Sequence, residues 1–80
     1  MNQLLQQRIS IDPKIMVGKP VICGTRIPVE LVVRMLAQGV PESDILREYP
    51  RLKLEDIRAA LTYAAEMLAN EDVLPMALAA

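Results

Sequence analysis

The chain has 80 residues, a formal net charge of −1 and 24% charged residues, which is one domain's worth of sequence with no general electrostatic pull toward nucleic acid. It has no His, no Phe, no Trp and one Cys, so a His-based triad, an internal disulfide and a His/Cys zinc site are all excluded. The core has to come from Leu, Ile, Val, Met and Ala, which suits packed helices.

Residues 1–8 read as a flexible or weakly helical start. Ile9-Ser10-Ile11 alternates and then meets the turn pair Asp12-Pro13. Val17-Gly18-Lys19-Pro20 is a second break, and Val21-Ile22-Cys23 is a short β-prone run closed by Gly24. This pattern predicts a small hairpin, or a pair of short extended segments, over 9–23. Pro28 fits the opening of the first firm helix, where a missing N–H is harmless. That helix runs to about Gln38, and Gly39 supplies the left-handed stop. Its apolar residues cover most of the circumference, leaving Glu30, Arg34 and Gln38 as a polar stripe, with Glu30 and Arg34 spaced to pair. Such a helix is central in the fold or lies at a subunit contact.

Pro41 starts a shorter helix over 42–48, with Ile45 and Leu46 facing inward, and Pro50 closes it. A further helix starts near Leu54 and ends near Ala69. Leu54, Ile57, Leu61, Ala64 and Leu68 form its expected buried stripe, with Glu55, Asp56, Arg58, Ala59, Thr62 and Glu66 facing outward. The domain plan is therefore a lead-in over 1–8, a helical domain over 9–70 and a tail over 71–80. The fold class is all-α: three helices with a short N-terminal β-hairpin.

The spacing Leu36, Gly39-Val40, Ile45, Leu52, Ile57, Leu61 is that of a helix-turn-helix core, because two short helices crossing steeply share few contacts at fixed offsets. Any three-helix bundle of the same period would share it. Arg47, Arg51, Lys53 and Arg58 cluster around the turn and are the DNA-binding candidates; the bland reading makes them solvated surface charges. The start of the last helix, with Glu55 and Asp56, is a poor surface for phosphate. In Gly24-Thr25-Arg26-Ile27-Pro28, Gly24 permits a tight bend, Thr25 can bond to the loop or the next helix, and Arg26 projects from a rigid corner. This string either fastens the hairpin to the helix or presents Arg26 at an interface, with Gly24, Thr25 and Pro28 shaping the corner.

Catalysis and cofactors find no support. Cys23 sits in an apolar run and reads as a small buried hydrophobe. Val17-Gly18-Lys19-Pro20 lacks the second Gly and the Ser/Thr of a phosphate loop. The expectation is no enzyme, no metal, no cofactor and no small-molecule substrate. No apolar run approaches the ~20 residues that span a bilayer, and residues 1–7 lack the apolar core of a signal peptide. A cytoplasmic location is the default. So short a chain buries a modest share of its surface, which favours a homodimer. In the tail, Glu71, Asp72, Leu74 and Leu78 are candidates for partner contact, and Leu78-Ala79-Ala80 also looks like the ending of the tag that marks stalled bacterial products for proteolysis.

Ile11-Asp12-Pro13, Gly18-Lys19-Pro20, Gly24-Thr25-Arg26-Ile27-Pro28-Val29, Gly39, Tyr49-Pro50, Leu52, Leu54-Glu55-Asp56-Ile57, Ala59-Ala60-Leu61 and Tyr63-Ala64 together resemble the bacterial domain of unknown function four-three-three family, over about residues 8–68. The resemblance implies a homeodomain-like helix-turn-helix domain. It also implies an antitoxin similar to the VapB-type class, working beside a PIN-like ribonuclease toxin and operator DNA. Two departures stand out: the Tyr49-Pro50-Arg51-Leu52 turn is a residue longer than the common helix-turn-helix pattern and lacks its Gly, and Lys53 stands where a Thr or Ser cap is expected. The alternatives are a stand-alone transcriptional regulator and a dimerisation or adaptor domain that never touches nucleic acid.

Overall fold

The computed structural model describes residues 3–70. In chain order these form α1 (Gln3–Arg8), β1 (Ile9–Ser10), β2 (Val21–Ile22), α2 (Val29–Ala37), α3 (Glu42–Glu48) and α4 (Leu54–Ala69). The architecture is three helices, α2 to α4, with a short antiparallel hairpin and one further N-terminal turn of helix packed against them. The lead-in is thus more ordered than its sequence suggests: α1 lies against α4, and Leu5 is fully buried.

In the hairpin, Ile9 pairs with Ile22 and Ser10 with Val21. The chain then folds back a second time. The Thr25 N–H donates to Ile22 O at 3.0 Å, closing a turn in which Gly24 takes φ 77, a backbone angle that favours glycine. The Thr25 hydroxyl donates to Ile22 O at 2.7 Å and accepts from the Ile27 N–H at 3.0 Å. It therefore bonds to the loop, and not to the next helix. Ile22 N–H to Ile27 O and Val29 N–H to Pro20 O, each 3.0 Å, then seat the residues before α2 alongside β2.

Proline and glycine set the helix limits. Pro28 and Pro41 are extended residues immediately before α2 and α3, and Gly39 takes φ 86 just past α2. Glu30 and Arg34 pair across one turn of α2, as expected. The turn between α3 and α4 occupies residues 49–53, with the Leu52 N–H donating to Tyr49 O at 2.9 Å. Ile45 from α3, Leu52 from the turn and Ile57 from α4 meet in the core with Val29 and Val32 of α2. Filling these sites with aliphatic side chains contributes roughly 1.5–3 kcal/mol per large residue.

The phase of α4 differs from the expected stripe. Ile57 is buried, but Leu61 is 44% and Leu68 63% exposed, and Leu54 also reaches solvent. Asp56, Ala59 and Ala60 are buried in their place. The reason is steric: α4 crosses α2 and α1 on its alanine side, where small side chains let the helix axes approach, and the leucines are turned to the shoulder. Asp56 is buried because it has partners. Its carboxylate accepts from the Lys53 N–H at 2.9 Å and pairs with Arg8 at 3.0 Å. The first bond supplies the capping interaction that the Lys53 side chain, having no acceptor, cannot make.

Cys23 is exposed, contrary to the expectation of burial. It stands in the turn after β2, with its backbone N–H bonded to Arg8 O at 2.8 Å. Residues 16–18 form a tight turn in which Met16 (φ 52) and Val17 (φ 56) precede Gly18 (φ 80), all left-handed.

Candidate nucleic-acid interface

Two segments far apart in sequence build one cationic cleft. The first is the turn at Gly24-Thr25-Arg26, rigid because Gly24 makes the bend and the Thr25 hydroxyl bridges Ile22 and Ile27. The second is the α3–α4 turn, which carries Arg51. An Arg51 Nη donates to Gly24 O at 3.3 Å and ties the two together. Between them lies a cleft of about 410 Å³, lined by Ser10, Ile15, Val21, Gly24, Thr25, Arg26 and Arg51.

The electrostatics of this cleft are one-sided. Two guanidinium groups line it and no Asp or Glu does. Arg51 uses one of five donors on Gly24, and Arg26 has no ion pair among the described residues. A guanidinium holds its charge throughout the physiological range and offers a fork that fits two oxygens of a phosphate or carboxylate. The arrangement can therefore hold an oxyanion. Among the described residues, no group of three or more His, Cys, Asp or Glu side chains could hold a metal ion.

The remaining candidates lie on α3 and at the head of α4, outside the cleft. Arg47 is exposed on α3 and pairs with Asp44 at 2.7 Å. Lys53 is exposed at the head of α4, and Arg58 is exposed one turn further along. Neither they nor Arg47 line the cleft. Pro28 does not line the cleft; its backbone bridges to Val21. Glu71, Asp72, Leu74 and Leu78 lie outside the described residues. Asp56, expected as an outward carboxylate that would repel phosphate, is buried and neutralised by Arg8. That leaves Glu55 as the exposed acid in the first turn of α4. Ser10 joins the cleft without any sequence signal, because only the β1–β2 register brings it there.

The fold and the cleft define a small helical domain whose helix-turn-helix corner is braced by a hairpin and carries an arginine-lined cleft. The chain belongs to the DUF433 family, described as a protein of unknown function, whose model matches residues 9–64. It is similar to a crystal structure of a DUF433 member protein from Anabaena variabilis, with a TM-score of 0.72 and 41% identity over 80% of this chain and 63% of that one. It is 39% identical over 56 residues to the uncharacterised protein y4eO of Sinorhizobium fredii, covering 70% of this chain and 25% of that protein. An uncharacterised protein of Archaeoglobus fulgidus is 62% identical over 29 residues, 36% of this chain and 81% of its own length. The chain thus spans about a quarter of the Sinorhizobium relative and a little under two thirds of the Anabaena chain.

Proposed function

We propose that this chain is a non-catalytic binding module that grips the phosphate backbone of operator DNA, in the manner of an antitoxin. The observation that carries the reading is the cleft between Arg26 and Arg51, two forked cations with no carboxylate beside them. Arg47, Lys53 and Arg58, exposed and flanking the turn in sequence, offer further cations to the same backbone. Phosphate contacts of this kind set position and affinity, while base contacts set sequence preference. A homodimer would present two such edges to a two-fold site. The same reading gives Glu71, Asp72, Leu74 and Leu78 to a PIN-like ribonuclease partner.

The test is an electrophoretic shift on the gene's own upstream DNA across a salt series. Binding should weaken steeply with salt, and the Arg26→Ala/Arg51→Ala double variant should flatten the log–log slope by roughly 0.9 for each phosphate no longer neutralised. Shifts identical for wild type and double variant would remove the cleft from the interface. For the partner, a ribonuclease should co-purify with the full chain from its native host.

A second reading, an adaptor that works by self-association alone, has its own support. Leu54, Leu61 and Leu68 stand exposed at seven-residue spacing along α4. Loss of dimerisation in Leu61→Glu, together with no DNA shift in the wild type, would favour it.

A further inference from the structure

The cationic cleft holds more donors than a passing phosphodiester uses. Arg26 has no ion pair among the described residues, and Arg51 spends one N–H on Gly24 O. Two hydroxyls also line the cleft. Thr25 donates its hydroxyl hydrogen to Ile22 O, but the half-buried Ser10 hydroxyl has no partner among the described residues. Three side-chain donors therefore line one cleft from three segments: β1, the Gly24–Arg26 turn and the α3–α4 turn. A phosphodiester has two terminal oxygens and a single charge. A phosphate monoester has three terminal oxygens and carries close to two charges at neutral pH. The donors and the cations both match the monoester. Ile15 and Val21 give the cleft an apolar side for a carbon skeleton. Its volume of about 410 Å³ lies at the small end of small-molecule sites, which run from roughly 300 to 1,000 Å³.

We propose that the cleft is a receptor site for a small organic phosphate monoester of nucleotide size. Arg26 and Arg51 hold terminal oxygens with their forks, and Ser10 donates to the oxygen left over. The same guanidiniums cannot grip a DNA backbone at that moment, so the ligand releases DNA; this consequence rests on the DNA reading above, whereas the binding itself does not. No His or carboxylate lines the cleft, so titration near neutrality belongs to the ligand. Binding weakens as pH falls through about 6, where the monoester loses its second charge.

The test is a titration of the isotope-labelled full chain with adenosine 5′-monophosphate, without DNA. Amide shifts are expected at Ser10, at Gly24 to Arg26 and at Arg51. Adenosine, inorganic phosphate and a dinucleoside phosphodiester should each bind roughly tenfold more weakly or worse. Arg26→Gln should lose roughly tenfold or more and Ser10→Ala a few-fold, with the rest of the spectrum unchanged. Arg58→Gln removes an exposed cation outside the cleft and should bind as wild type does. Three results would overturn the proposal: no shifts at these residues, a diester or inorganic phosphate bound as tightly as the nucleotide, or an equal loss in Arg58→Gln. Added to the electrophoretic assay, the nucleotide should release the DNA. No DNA shift at all, with the titration intact, would sink the DNA reading and uphold the receptor site.

Discussion

Asp56 is a charged residue held in the core by two specific bonds, one to the Arg8 guanidinium and one from the Lys53 N–H. Removing the carboxylate leaves both donors short of an acceptor. Asp56→Ala should therefore cost roughly 2 kcal/mol in urea unfolding. Asp56→Asn keeps an acceptor for the Lys53 N–H and should recover part of that loss. Equal destabilisation by the two variants would show that the cap contributes little. Val17 poses the opposite case. It is 95% exposed, so it gains nothing from burial, yet it holds a left-handed backbone that a β-branched residue resists. Val17→Asn should raise stability by about 1 kcal/mol, read as a shift of the urea midpoint at unchanged slope. No gain would mean that the turn relaxes in solution.

At the level of elements, limits are easier to read from sequence than faces. Pro28, Gly39, Pro41 and Pro50 mark the ends of α2 and α3 because each carries a backbone restriction that acts locally, whatever surrounds it. The buried face of α4 obeys a different rule. Its leucines are more hydrophobic than its alanines, so hydrophobicity alone favours Leu54, Leu61 and Leu68. Packing favours Ala59 and Ala60, which let α4 sit close to its neighbours. The choice depends on inter-helix distance, which no stretch of one helix encodes. Two substitutions separate the phases. Ala60→Leu should cost about 1–3 kcal/mol through overpacking, and Leu61→Ala less than about 1 kcal/mol. The reverse ranking would restore the leucine stripe as the buried face.

For the molecule as a whole, the cationic residues are visible in the sequence but their grouping is not. Arg47, Arg51, Lys53 and Arg58 are close in sequence and so read as one patch, yet only Arg51 lines the cleft. Its companion, Arg26, comes from the far side of α2 and α3, and only the folded chain brings the two turns together. The burial of Asp56 is hidden for the same reason, since its partner Arg8 lies 48 positions away. A double-mutant cycle on Arg26 and Arg51 should give DNA affinity losses that are not additive, because the two share one cleft. Additive losses would mean that they meet separate phosphates. The Arg8–Asp56 tie also bears on where this domain can be cut. The family match begins at residue 9, yet a fragment starting there would lack Leu5 from its interior and the counter-charge for a carboxylate at the head of its longest helix. Any piece meant to fold unaided has to keep the short helix that the family boundary leaves out.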